Sequence, residues 1–146
     1  MGPTYVDVII RNPAEMTREW QGKFLVGTGA IESLVPRPIL EAIGLEPLTQ
    51  RTYELADGTE VRMDVVGAAM ELLGEFTAGL VIFGDANAEP VLGSTAMASA
   101  GIEFDPKNQR LNKLPFVRLK KNWRKAMLPV HAAGHAVGVT ASSRSA

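Results

Sequence analysis

Cysteine and histidine, two residue types that often carry out catalysis, are scarce in this chain. It has no cysteine, so thiol nucleophiles, disulfide bonds and cysteine-zinc sites are excluded. His131 and His135 are four residues apart, a spacing that could place both on one helix face for zinc. The metalloprotease version of this pattern needs a glutamate where Ala132 stands, and Gly134 disfavours a helix. We therefore expect no metal ion and no other cofactor. The chain also lacks a Walker-type phosphate loop and a Gly-x-Ser-x-Gly elbow.

Two glycine-containing turns are the most informative features of the sequence. A short apolar strand over 23–26 enters Gly27-Thr28-Gly29-Ala30, and the acid Glu32 follows shortly after. Two segments rich in β-forming residues, 49–55 and 59–66, flank Ala56-Asp57-Gly58. Asp-Gly between two strands is a strong hairpin signal because both residues tolerate a positive φ. The sequence therefore predicts a tight turn at 27–30 and a β-hairpin around 56–58.

The elements that must position these turns are predicted from the alternation of apolar and polar residues. Further strands are predicted at 4–11, 23–26, 33–35, 68–73, 77–83, 91–93, 102–105 and 110–111. One short helix is predicted from Pro38 to Gly44, and a second from Ser94, as its N-terminal cap, to Ala100. The polar stretch 12–22 is predicted to be a turn or a hairpin connection. This pattern indicates a compact, mostly β fold.

The charge of the chain is divided unevenly between an acidic body and a basic tail. Residues 1–105 carry 6 Lys/Arg and 16 Asp/Glu, a net charge of −10, whereas residues 106–146 carry 9 Lys/Arg and no acid. We predict a domain at 1–119 and a basic, Ala/Gly/Ser-rich, poorly ordered tail at 120–146. The tail is either a solvated segment or one that contacts nucleic acid, acidic lipid or the acidic body. The basic run 118–125 includes Trp123, but so short a run is usually solvated, so nucleic-acid binding is not favoured.

The sequence shows no signal for a membrane or for secretion. No stretch of about 18 uncharged apolar residues is present, so we expect no membrane span. The first ten residues lack the basic start, apolar core and small-residue cleavage site of a secretory signal. Together with the absence of cysteine, this fits a reducing compartment, and we expect a cytoplasmic protein.

Several segments, in their order along the chain, resemble the retropepsin-like aspartic proteases, and most closely the small bacterial relatives of retroviral proteases. The resemblance covers about residues 4–112. The segments that carry it are Phe24–Ala30, Ala42–Leu45, Leu55–Gly58, Leu80–Gly84, Val91–Thr95 and Ala100–Pro106. It implies a closed β-barrel that works as a homodimer, with half of one active site from each chain, and a peptide or protein as the substrate.

The resemblance also implies roles for individual residues. The turn at 27–29 would be the catalytic turn, which in the family reads Asp-Thr/Ser-Gly. The hydroxyl of Thr28 would bond across the dimer axis, the alternative being a bond to its own backbone, and Gly29 would allow a backbone shape that a side chain blocks. Asp57-Gly58 would be the tip of a flap over the substrate, and Val91-Leu92-Gly93 would pack behind the turn. The residues implied to contact substrate are Ala30, Glu32, Ala56, Asp57 and Gly58.

The sequence departs from the family pattern at the catalytic position, where Gly27 replaces the aspartate. In the family, two aspartates share one proton and activate a water molecule, because carboxylates about 3 Å apart do not both ionise readily. Glycine has no group that can hold a proton. Glu32 and Asp57 are not expected to substitute; a solvated acid and a turn former are their simpler roles. We therefore expect an aspartic endopeptidase-family protein with little or no activity, or alternatively a non-catalytic peptide-binding module with the same cleft and flap.

Overall fold

The computed structural model describes residues 2–119 and 122–127. The chain divides into two units between Phe116 and Val117. In the second unit, residues 123–127 are helical. Most of the predicted tail, with His131 and His135, lies outside the described residues, so its poor order stays a prediction. Within the described ranges, no helix has the length and apolar character needed to cross a membrane.

The first unit is mostly β with two short helices, as the sequence predicts. Its elements are β1 (Tyr5–Asn12), β2 (Glu15–Gly27), β3 (Ser33–Pro36), α1 (Arg37–Ala42), β4 (Thr49–Glu54), β5 (Glu60–Leu72), β6 (Glu75–Gly84), β7 (Val91–Gly93), α2 (Ser94–Ser99), β8 (Ile102–Asp105) and β9 (Arg110–Lys113). Seven strands form one sheet in the order β1-β2-β7-β3-β6-β5-β4, and β1 also pairs with β5. In this order β4 is paired along one edge only. Strands β8 and β9 form a separate hairpin.

The core lies on the inward face of the strands, beneath the two helices. Every second residue of β1 is buried, namely Val6, Val8, Ile10 and Asn12, as expected for a strand with one face in the core. Leu40 of α1 and Met97 of α2 join the same cluster. These contacts fix the position of both helices relative to the sheet. Because β2 and β7 run parallel and end side by side, α2 begins next to the end of β2.

The polar stretch 12–22 is not the connection that the sequence predicts. Strand β2 begins at Glu15, and only two residues separate it from β1. The N–H of Ala14 donates to the Asn12 side chain at 2.9 Å, which closes this tight turn. The prediction was wrong because the first half of β2 is exposed on both faces, so its polar sequence lacks the alternation that marks a half-buried strand. It pairs with β1 at Glu15 and again from Glu19 onward, with a shift in register between the two.

Two further boundaries differ from the predictions. Strand β5 runs without interruption over the two predicted strands 59–66 and 68–73. The prediction that Ser94 caps α2 is wrong, because Ser94 is the first residue of the helix, the cap position is Gly93 and no side chain caps the helix. The first helix ends as predicted, since Gly44 has a φ of +85° just after it, a conformation that favours glycine.

Candidate functional site

The turn that follows β2 is held between β7 and the start of α2. Strand β7 runs parallel to the last residues of β2, with Leu25 opposite Val91 and Gly27 opposite Gly93. The N–H of Ala30 donates to the carbonyl of Gly27 at 3.1 Å, closing the turn. The predicted place of Val91-Leu92-Gly93, directly behind this turn, is therefore confirmed.

Backbone hydrogen bonds attach the segment after the turn to α2. The N–H of Ser94 donates to the carbonyl of Ala30 at 2.8 Å, and that of Thr95 to Ile31 at 3.2 Å. These carbonyls supply the acceptors that a side-chain cap would otherwise provide, which explains why Ser94 caps nothing. The N–H of Gly93 donates to the hydroxyl of Ser33, which is 2% exposed, at 2.9 Å.

Position 27 itself has no chemically active group and little free space. A Cβ atom added to Gly27 would lie 2.5 Å from Cγ1 of Val91, 3.4 Å from the carbonyl oxygen of Leu92 and 3.5 Å from Cβ of Ala30. The φ of Gly27 is not in the left-handed region, so the backbone accepts a side chain there. A Cβ at this position requires that the Val91 side chain move aside.

Thr28 and Gly29 form the exposed part of the turn. In the part of the chain that the structure describes, the Thr28 hydroxyl has no hydrogen bond, so the alternative of a bond to its own backbone is not found. A Cβ at Gly29 would meet nothing within 4 Å, and its φ is not positive. Within a single chain, the expectation that the backbone shape at Gly29 blocks a side chain is therefore wrong.

Glu32 takes part in a partly buried polar cluster. Its Oε2 atom accepts hydrogen bonds from Nη1 of Arg51 at 3.0 Å and from the hydroxyl of Tyr53 at 3.1 Å. The Glu32 side chain is 10% exposed and that of Arg51 is 52% exposed. Burial of Tyr53, then its bond to Glu32 and the charge of that carboxylate, raise the pKa of the phenol.

This cluster opens into a cleft of about 350 Å³ between the turn and β4. The lining residues are Gly29, Ala30, Ile31, Glu32, Arg51, Thr52, Tyr53, Glu54 and Ile82. The sequence predictions include Gly29, Ala30 and Glu32 but miss Arg51 and Tyr53. Arg51 and Tyr53 are two residues apart, so both lie on one face of β4, but no sequence signal indicates that this face contacts Glu32.

The Asp57 hairpin forms as the sequence predicts. Gly58 has a φ of +88°, and its N–H donates to the carbonyl of Leu55 at 2.9 Å. The N–H of Thr59 donates to the Asp57 carboxylate at 2.9 Å, and hydrogen bonds from Thr59 lower the pKa of Asp57. The tip residues Ala56, Asp57 and Gly58 are exposed and are not among those that line the cleft.

A second cleft, of about 420 Å³, lies on the other side of the β4–β5 hairpin base, where sequence reasoning predicted nothing. Nη2 of Arg37 donates to Oδ2 of Asp64 at 2.6 Å, and Nε2 of Gln50 donates to Oδ1 at 3.0 Å. These two bonds hold the pKa of Asp64 below its ordinary value. The guanidinium of Arg37 also lies 4.7 Å from the centre of the Phe83 ring. This network ties α1 to the hairpin.

A comparison with solved structures finds a similarity to the solution structure of the simian foamy virus (mac) protease. The two chains are 18% identical, and the match covers 66% of this chain and 91% of that chain with a TM-score of 0.47. No family model and no curated protein matches the chain. The chemistry of this chain follows from its own residues. No group of three His, Asp or Glu side chains within 2–119 and 122–127 is placed to hold a metal ion.

Proposed function

We propose that this chain is a retropepsin-like domain of the aspartic endopeptidase family that binds extended peptides without cleaving them. One observation carries the proposal. A cleft is present between the turn after β2 and strand β4, but the turn begins with Gly27, where the resemblance requires a carboxylate. The cleft is thus present, whereas the group that would activate water is absent.

The proposed architecture is a closed barrel that pairs with a second copy of itself. Successive pairings lead from β1 through β2, β7, β3, β6 and β5, and the pairing of β5 with β1 completes a ring. This ring supports closure of the sheet. The exposed Thr28, whose hydroxyl has no partner within the described chain, supports a turn that meets its symmetry mate, because that hydroxyl is available to bond across the axis.

Neither nearby acid offers a substitute for the missing aspartate. Glu32 has one oxygen committed to Arg51 and Tyr53, and Asp57 accepts a bond within its own hairpin. Hydrolysis by the family's mechanism needs two carboxylates that share a proton at about 3 Å. General acid-base catalysis contributes about 10²–10⁴-fold in rate, so a turn without a carboxylate is expected to lose at least that factor.

Peptide binding is supported by the edge of β4. This strand supplies Arg51, Thr52, Tyr53 and Glu54 to the cleft, and it is paired only with β5. Such an edge presents unpaired N–H and C=O groups, to which an extended peptide adds as a further strand. Main-chain bonds would then provide affinity, and the cleft would receive one of the side chains.

The test compares the natural sequence with Gly27→Asp and with the double variant Gly27→Asp/Val91→Ala. The second change removes the methyl group that lies 2.5 Å from the new Cβ. If Gly27→Asp alone is inactive because Val91 obstructs the new side chain, the double variant can still show activity. Each protein is offered quenched-fluorescence peptide libraries between about pH 4 and pH 7, where a shared-proton pair works. Binding of uncleaved peptides is measured by fluorescence anisotropy.

We expect cleavage only after the aspartate is introduced, and peptide binding by the natural sequence. Val91→Ala alone is the matched control, and it should cleave nothing. Cleavage by the natural sequence that a transition-state inhibitor of aspartic proteases blocks would contradict the proposed loss of activity. No peptide bound at micromolar concentrations by any variant would contradict the proposed binding function.

A further inference from the structure

The carboxylate of Glu32 uses only half of its hydrogen-bonding capacity. Oε2 accepts both of the bonds described above, from Arg51 and Tyr53, whereas no described residue bonds to Oε1. This oxygen is not among the buried polar atoms without a partner, so it is accessible. Because the side chain is only 10% exposed, the cleft is the place from which a partner can reach it.

The residues around this oxygen favour a positive charge. Glu32 and Glu54 carry two negative charges in the lining, and Arg51 carries the one positive charge. That guanidinium is held against Oε2, and it lies 5.7 Å from the centre of the Tyr53 ring. Hydrogen bonds between an ammonium or guanidinium and a carboxylate are about twice as strong as neutral ones, and partial burial weakens the screening by salt.

The remaining walls of the cleft suit the stem of a long side chain. Ile82 and Ile31 are both part of the lining, and Ile31 is 69% exposed. Lysine and arginine place their methylene groups along apolar surface while the charged end reaches a polar partner. Covering Ile31 would remove apolar area from water at about 25 cal/mol per Å².

We propose that this cleft is a subsite for a lysine or arginine side chain of the bound peptide, with the cation on Oε1 of Glu32. The inference rests on the proposed peptide binding and specifies its substrate class. An acidic side chain would instead face two carboxylates with one guanidinium to offset them. An uncharged side chain of the same length would leave Oε1 without a partner.

The experiment uses the full chain and fluorescein-labelled eight-residue peptides of alternating threonine and valine. A single lysine is moved along the peptide, and at each place it is compared with norleucine, which has an uncharged stem, and with glutamate. At one or two places we expect the lysine peptide to bind about tenfold more tightly than norleucine, consistent with one charged hydrogen bond. The glutamate peptide should bind more weakly than both.

Three variants assign the preference to the cleft. Glu32→Gln should abolish the preference for lysine over norleucine while the affinity for the norleucine peptide stays the same. Glu54→Gln should reduce this preference. Glu103→Gln, an exposed acid on β8, is the matched control and should leave it unchanged. If Glu32→Gln does not fold by circular dichroism, the Glu54→Gln variant still provides the test.

The outcomes separate the two proposals. Equal binding of lysine and norleucine peptides at every place, or tighter binding of glutamate, would overturn the subsite while peptide binding stands. A lysine preference that persists in both cleft variants would overturn it as well. Absence of binding by every peptide would overturn the peptide-binding function and the subsite together.

Discussion

At the scale of single residues, packing requires glycine at one position of the site but not at two others nearby. A Cβ at Gly93 would lie 2.5 Å from the backbone carbon of Glu32 and the carbonyl oxygen of Ile31. Backbone atoms held by other hydrogen bonds cannot move away cheaply, so glycine is required there. At Gly27 the nearest obstacle is a side chain, and at Gly29 there is none. Only one of these three glycines is therefore demanded by the packing of a single chain.

This difference predicts contrasting effects of alanine at two positions. Gly93→Ala should lower the free energy of unfolding by about 1–3 kcal/mol, the usual cost of overpacking. Gly29→Ala should leave it unchanged or raise it by about 0.4–1 kcal/mol, because alanine restricts the unfolded chain. Urea unfolding followed by circular dichroism measures both. Equal destabilisation by the two substitutions would show that the site is not packed as described.

At the scale of elements, local signals were predictable and long-range pairings were not. The hairpin is predictable from Asp57-Gly58 alone, because the turn conformation depends on these two adjacent residues. The first half of β2 has no such signal, since its residues are polar and exposed and it pairs with β1 only at Glu15 and again from Glu19 onward. Glu32 could be named as a site residue because the family resemblance implies its place in the cleft. Its partners Arg51 and Tyr53 could not, because they reach it only through the folding of β4 over the turn.

The ion pair between Arg37 and Asp64 makes the attachment of α1 to the hairpin sensitive to acid. The pKa of Asp64 is lower in the folded chain than in the unfolded one. Its contribution to stability is therefore present above the ordinary aspartate pKa and is lost as the pH falls through the folded value. Asp64→Asn should flatten the fall in unfolding free energy from about pH 5 downward.

The measurement is urea unfolding at a series of pH values. Asp7→Asn is the matched control, because it removes the ion pair with Lys23, whose side chains are 60% and 70% exposed. A pair so exposed contributes little to stability, and the slope should change less than in Asp64→Asn. An identical slope in the natural sequence and in Asp64→Asn would show that this carboxylate does not link α1 to the hairpin.

At the scale of the whole molecule, the missing aspartate should alter how two copies associate. In the proposed homodimer the turns at 27–29 meet at the two-fold axis. Two aspartates there would repel each other when both are ionised, so association would weaken as the pH rises through the pKa values of the pair. With Gly27 in both copies this repulsion is absent, and dimerisation should depend less on pH.

Sedimentation velocity of the natural sequence and of Gly27→Asp/Val91→Ala, between about pH 4 and pH 7, tests this expectation. The dissociation constant of the natural dimer should change little across the range, whereas that of the double variant should rise with pH. Val91→Ala alone controls for the altered packing against β2 and should follow the natural sequence. If the dissociation constants of all three proteins changed with pH in the same way, the charge that governs association would not be at position 27. A natural chain that stays monomeric at every pH would contradict the dimer itself, and with it the meeting of the two turns.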